Sequence, residues 1–395
     1  MSSREEKELK PKFRFPEFLQ QGGWKALKLK DISVPVEERV GQRKLTPVSI
    51  SAGIGFVPQV EKFGRDISGN QYQLYTLVRD GDFVYNKGNS LKFPQGCIYD
   101  LREWGEVAAP NVFICFRLKN GFENGFFRYH FEKNTHGLQL KEHITSGARS
   151  NGLLNISKAT FYGIKLPTPS TAEQQKIAAC LSTIDDLITA GTQKLEALRA
   201  HKKGLMQQFF PAEGETVPRL RFEGFEGEWE YKTVSEFAKV TTGNKDTQNK
   251  VDNGEFPFFV RSQTVERIDS HSYEGEAVLT SGDGVGVGKN FHYINGKFDF
   301  HQRVYCIYDF RNDVSGKFFY QYFSDRFFNR VSRLSAKNSV DSVRMSMITE
   351  MPICIPTKEE QNKVINCLSP LEDLIDGQNQ KVENLKMHKK ALLQN

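Results

Sequence analysis

Glu173-Gln174-Gln175-Lys176-Ile177 recurs as Glu360-Gln361-Asn362-Lys363-Val364, and from there the match runs without a gap to Asn395. Residues 173–208 and 360–395 share 18 identities in 36 positions, including Cys180-Leu181-Ser182 on Cys367-Leu368-Ser369 and His201-Lys202-Lys203 on His388-Lys389-Lys390. Self-similarity at that level marks a duplication. A second block repeats further upstream: Pro11-Lys12-Phe13-Arg14-Phe15, then Phe18 and Trp24, answers to Pro218-Arg219-Leu220-Arg221-Phe222, then Phe225 and Trp229. Between these blocks the halves agree only faintly, as in Gly81-Asp82-Phe83-Val84 against Gly275-Glu276-Ala277-Val278. The chain reads globule, helix, globule, helix, with near-twin helices and unlike globules.

In the first helical block Ile177, Leu181, Ile184, Ile188, Leu195, Leu198 and Leu205 step along a heptad seam, with Gly191 and Lys202 in two of its slots. Val364, Leu368, Leu371, Ile375, Val382, Leu385 and Leu392 form the same seam in the second, with Gln378 and Lys389 in the equivalent slots. Acidic first turns and terminal His-Lys-Lys clusters suit the helix dipole. A helix of this length spans roughly 54 Å at 1.5 Å per residue. The stripe is narrower than the face of an ordinary core helix, so the two helices are expected to zip together. An antiparallel coiled coil would give the chain pseudo-two-fold symmetry and separate the globules. The expected fold is α+β: β-rich domains over 1–168 and 211–356, with spacer helices over 169–210 and 357–395.

The 395 residues include 31 Phe, 38% are apolar and 26% charged, which supplies real cores and excludes a disordered chain. Net charge is only +6, which permits a polyanionic partner without requiring one. No apolar run reaches the roughly 18 residues of a membrane helix, and Met1-Ser2-Ser3-Arg4-Glu5-Glu6-Lys7 is no signal peptide. Six Cys without a C-x-x-C pair imply a reduced, cytoplasmic protein. The glycine run Gly282-Asp283-Gly284-Val285-Gly286-Val287-Gly288-Lys289-Asn290 fails the phosphate-loop pattern, because Asp283 and Asn290 occupy the positions of an obligatory Gly and Ser/Thr. It reads as a turn near a ligand, with Lys289 facing phosphate. No H-E-x-x-H pair, G-x-S-x-G elbow or Asn-Pro-Pro-aromatic run occurs, so no catalytic apparatus and no metal site are expected in this chain.

Val112–Phe116 and Val304–Tyr308 read as buried strands with Cys115 and Cys306 as core fillers, and Phe318–Phe328 as a helix. Residues 1–165 carry 25 basic and 17 acidic side chains, whereas 216–356 carry 18 and 19. Each globule nevertheless has a basic tract at the same place in the repeat: Arg128, Lys133, Lys141, Arg149, Lys158 and Lys165 in the first, Lys317, Arg326, Arg330, Arg333, Lys337 and Arg344 in the second. Both tracts contain small polar stretches, Thr145–Gly152 and Ser335–Ser339, of the kind that meets phosphates and reads base edges. Candidate DNA contacts are Lys87, Arg149, Asn151 and Lys158 in the first globule. In the second they are Lys289, Arg330, Arg333, Lys337, Asn338 and Arg344.

The run Pro218…Arg221-Phe222…Phe225…Trp229, its echo from Pro11, and the join Leu166-Pro167-Thr168-Pro169…Glu173-Gln174-Gln175-Lys176-Ile177 resemble the specificity subunits of type I restriction-modification systems. The resemblance covers nearly the whole chain. It implies two target-recognition domains held apart by an antiparallel coiled coil, each reading half of a split double-stranded DNA site. It also implies two methyltransferase subunits docked along the coil and further restriction-translocase subunits. S-adenosylmethionine, ATP and Mg would all belong to those partners, so this chain needs no cofactor. The sequence stops at Asn395, directly after the second helix, so no C-terminal extension is expected to cap the coil. Two other readings compete: a coiled-coil adaptor that binds only proteins, and a self-sufficient methyltransferase or nuclease with an unrecognised site.

Overall fold

The computed structural model describes residues 9–88, 93–144, 154–335 and 342–394. Two compact units emerge, residues 1–192 with 380–395, and residues 193–379. The division differs from the expected boundaries at 168 and 356. It falls inside the long helices because half of each helix packs with a globule.

In the first unit a four-stranded antiparallel sheet runs in the order Ser33–Pro35, Ile114–Leu118, Phe83–Asn86, Cys97–Asp100. Two-stranded ribbons Val48–Ser51 with Gly55–Pro58, and Thr76–Arg79 with Glu106–Ala109, complete the β layer. Helix α1 (Asn124–Glu132) covers it. Phe126, Phe127 and Phe131 of α1 are buried with Phe83, Phe116 and Phe161 in one aromatic core. Cys115 is buried as a filler. Helix α2 (Thr171–Phe209) is continuous over 39 residues.

The second unit has a six-stranded sheet in the order Lys239–Thr242, Val304–Tyr308, Tyr273–Ser281, Phe291–Phe300, Phe256–Phe259, Glu266–Ile268. Only the Phe256–Phe259 and Phe291–Phe300 pair is parallel. Helix α3 (Gly316–Leu334) contains the expected segment and extends past it at both ends. Ser315 caps its N-terminus by accepting from the Phe318 N–H. Its buried face is an aromatic ladder, Phe319 on Phe323 at 5.0 Å and Phe323 on Phe327 at 4.3 Å between ring centroids. Helix α4 (Lys358–Leu393) starts at the repeat equivalent of Thr171.

The duplicated blocks meet each other. Lys25–Lys28 pairs antiparallel with Lys165–Thr168, and Glu230–Thr233 with Pro352–Ile355, so each globule begins and ends on one ribbon at the foot of its helix. Arg14 makes a two-pronged ion pair with Glu173 (2.8 and 2.7 Å), and the Trp24 indole N–H donates to the same carboxylate. Arg221 repeats this on Glu360 at 2.8 and 2.9 Å. The neighbouring glutamines repeat as well. Gln174 accepts from the Glu123 N–H and donates to the Pro169 carbonyl; Gln361 accepts from the Ser315 N–H and donates to the Pro356 carbonyl. The joint recurs although the interiors of the globules differ.

Within each unit the two long helices lie side by side. Lys389 reaches Asp185 at 2.9 Å in the first unit, and Lys202 reaches Glu372 at 2.6 Å in the second. These lysines fill the interrupted slots of the seam, and the two pairs are repeat equivalents of each other. In the second unit Arg199 also reaches Asn379, so moving back along α2 means moving forward along α4, an antiparallel pairing. Leu181, Ile184, Leu195, Val364, Leu368, Leu371 and Val382 are buried. Ile177, Ile188, Leu198, Leu205, Ile375, Leu385 and Leu392 are half-buried. The seam also serves the globule on one side, since Val364, Ile365 and Leu368 join the core of the second unit.

The pair Lys202–Glu372, about four-fifths buried on both sides, should show its coupling in a double-mutant cycle. Lys202→Met and Glu372→Met, each alone, are expected to destabilise by about 1–3 kcal/mol, and the double variant by less than the sum. Chemical denaturation checks this; strict additivity would show that the pair contributes no coupling.

Candidate nucleic-acid interface

In the first unit Lys87 follows the strand Phe83–Asn86 and is half-buried, and its carbonyl accepts from the Leu154 N–H. Lys158 opens a short helix, Lys158–Tyr162, capped by Ser157; its exposed ammonium lies 2.7 Å from Glu37. Arg149 and Asn151 lie outside the described residues. Several arginines of this unit are engaged with acids: Arg79 with Glu38 and Glu106, Arg43 with Glu38, and Arg117 with the fully buried Asp82. The two arginines hold the Glu38 carboxyl at about 2, well below its ordinary range.

In the second unit the loop Gly282–Asn290 joins the long strands Tyr273–Ser281 and Phe291–Phe300. Its glycines answer to packing. A Cβ on Gly286 would sit 2.0 Å from Nδ2 of Asn290, and one on Gly288 (φ +64°) would sit 2.7 Å from the Phe328 ring. The Asn290 amide donates to the Arg261 carbonyl and to the Ser281 hydroxyl. Asp283 pairs with Arg261 (2.9 Å) and Arg303 (3.3 Å), and Gly282 accepts from the Val343 N–H. A tied-down base thus projects two exposed side chains, Lys289 and the 97% exposed Val285. The Val343 hydrogen bond brings the exposed Arg344, the residue before the short helix Met345–Thr349, beside the loop.

The other candidates separate from this group. Arg330 donates to the Met347 and Glu350 carbonyls and so holds the end of that short helix. Arg333 is paired with Glu213 at 2.6 Å, which keeps that carboxyl below its ordinary range. Lys337 and Asn338 lie outside the described residues. Sequence reasoning missed Arg261 and Arg303; nothing in local composition distinguishes them, since strand pairing and the turn bring them to Asp283. The charged loop and its neighbours offer cations, a protruding apolar group and amide edges on one surface, the mixture that duplex recognition uses. Among the described residues no cluster of three or more His, Cys, Asp or Glu could hold a metal ion, and no helix is long and apolar enough to cross a membrane.

Comparison with known proteins places these features in context. The family model described as type I restriction modification DNA specificity domain matches twice, over residues 79–200 and 226–387. The chain is 25% identical over 286 residues to the type I restriction enzyme MjaVIII specificity subunit of Methanocaldococcus jannaschii, covering 65% of this chain and 67% of that one. It is 24% identical over 158 residues to the type I restriction enzyme EcoDI specificity subunit of Escherichia coli, covering 40% of this chain and 34% of that one. The crystal structure of the type I restriction-modification S subunit from M. genitalium shares the fold, with a TM-score of 0.64 at 13% identity over 95% of this chain and 96% of that one.

Proposed function

Since the chain belongs to the type I restriction-modification DNA specificity family, we propose that its two recognition domains each read one half of a split, asymmetric double-stranded DNA site. The observation that carries this reading is the contrast within the duplication. The Arg-Glu-Gln joint recurs and the long helices keep half of their residues, whereas one globule is built on four strands with ribbons and the other on six. A shared frame carrying unlike readers suits a bipartite target whose halves differ. The paired long helices act as the ruler that leaves an unread gap between the halves. Their outer faces serve as the dock for two methyltransferase subunits, with restriction-translocase subunits joining the full complex. The chain itself is non-catalytic: S-adenosylmethionine, ATP and Mg act in those partners, in the cytoplasm.

In the second domain Lys289, Arg344, Arg261 and Arg303 supply phosphate contacts and base-edge donors, and Val285 supplies an apolar contact of the kind a thymine methyl accepts. Lys87 and Lys158 serve the first domain. Binding of duplex DNA containing the target should weaken about 1,000-fold between 50 and 200 mM salt, because each neutralised phosphate releases a counterion. Fluorescence anisotropy over a salt series checks this. A salt-independent affinity, or no binding at low salt with the methyltransferase subunits present, would remove the DNA-reading account and leave a protein-only adaptor.

A further inference from the structure

In the second unit one carboxylate holds two arginines, and it engages only a corner of each. Asp283 Oδ1 lies 2.9 Å from Nη1 of Arg261, and its Oδ2 lies 3.3 Å from Nη1 of Arg303. The Asp283 side chain is 23% exposed, against 45% for Arg261 and 64% for Arg303. The backbone around all three is braced. The Arg261 carbonyl accepts from the Asn290 amide, the Arg303 N–H donates to Nδ1 of the buried His301, and the Arg303 carbonyl accepts from the Gly282 N–H. Among the described residues Nε and Nη2 of both arginines make no further hydrogen bond. Each arginine thus keeps one whole edge, with two parallel N–H donors, for an outside acceptor. The two arginines on Glu38 in the first unit are arranged differently, because Arg79 spends Nε on Glu106 and both Nη atoms on Glu38.

We infer that Asp283 is a specificity-determining positioning residue: it denies Arg261 and Arg303 to phosphates and presents their free edges to guanine in the half-site of the second domain. The inference rests on the DNA-reading function proposed above. A phosphate approaching either free edge comes close to the Asp283 carboxylate and meets like charge. Guanine presents O6 and N7, two neutral acceptors that match the edge of an arginine, so it takes both hydrogen bonds without that repulsion. Adenine sets a donor beside its N7 acceptor in the major groove, cytosine offers a donor, and thymine sets a methyl group beside its single oxygen. None of the three satisfies two parallel donors. Lys289 and Arg344 are exposed and have no acidic partner among the described residues, so the phosphate contacts fall to them. The surface thereby divides its cations: the uncompensated ones position the duplex, and the two that share a carboxylate read it.

The test selects bound sequences from a random duplex pool, using the full chain with its methyltransferase subunits, and measures affinity for a duplex without the selected motif over a salt series. The block that persists when residues 1–168 are exchanged belongs to the second domain, and it should contain at least one required guanine. Asp283→Asn keeps the shape and removes the charge. It should lower the preference for that guanine about 10-fold, and it should tighten binding to the motif-free duplex about 5-fold with a salt slope steeper by about 1–2, as the released arginines find phosphates. Arg303→Ala, at an exposed position, should lower the guanine preference about 10-fold without tightening motif-free binding. A second block without a required guanine overturns the inference. So does an Asp283→Asn chain that keeps its preference and slope, or one that binds every duplex more weakly at an unchanged slope, which is the mark of a residue that only holds the loop. A wild-type complex that selects no sequence from the pool removes the DNA-reading function itself, and the inference with it.

Discussion

Glu360→Ala is expected to destabilise the second unit by about 3–5 kcal/mol, among the larger effects a single substitution can have. The Glu360 side chain is 2% exposed and Arg221 16%. Removing the carboxylate therefore leaves a guanidinium that has been taken out of water with its two strongest acceptors gone, although the Glu226 and Gly227 carbonyls still bind it. The joint also closes the globule, so its loss loosens the ribbon Glu230–Thr233 with Pro352–Ile355 and the first turn of α4. Glu173→Ala should do the same to the first unit, with the added loss of the Trp24 indole hydrogen bond. Replacing both members of one pair, as in Arg221→Met with Glu360→Met, should recover a large part of the lost stability, because no buried charge is then left unpaired. Urea unfolding with the units followed separately checks the magnitudes. A loss below about 1 kcal/mol would show that the pair is solvated and that the joint is held by packing alone.

Exchange of residues 1–168 for the first domain of another family member should change one half of the recognised site completely and leave the other half and the gap unaltered. The expectation follows from the way each globule is mounted. Both of its ends lie on one ribbon at the base of a helix, and the contacts across that boundary include the repeated ones, Arg14 with Glu173 and Gln174 with the Glu123 N–H. A foreign domain that keeps the leading Arg-Phe block and the join to Glu173-Gln174 brings its own half of the joint. Mapping of methylated sites before and after the exchange checks this. Simultaneous change in both halves would mean that the domains read as one surface rather than as two modules.

Much of this architecture was legible because the duplicated residues are those that touch one another. The Arg-Phe block and the helix start recur together since Arg14 and Arg221 need Glu173 and Glu360, and neither partner can drift alone. The helix seam was legible from its period, and Val304–Tyr308 from its unbroken apolar run. Individual contact residues were far less so. Arg330 and Lys289 look alike in sequence, yet one is spent on the carbonyls of Met347 and Glu350 while the other projects from a braced loop. That distinction depends on where a later segment folds back, which no local pattern encodes. Lys202 and Lys389 read as interruptions of an apolar seam, but carboxylates on the neighbouring helix complete them. The glycine run resembled a phosphate loop because tight packing against Asn290 and Phe328 selects the same residue as phosphate approach does. The compact units divide within the long helices for a similar reason, since a seam residue such as Val364 serves its globule as well as the neighbouring helix.

The central claim, one ruler with two unlike readers, is tested most directly by sequencing the methylated bases of cells with and without this chain. The account predicts that its removal erases a single motif made of two different short blocks separated by a fixed run of unspecified bases. Loss of a continuous or palindromic motif, or an unchanged methylation pattern, would contradict it.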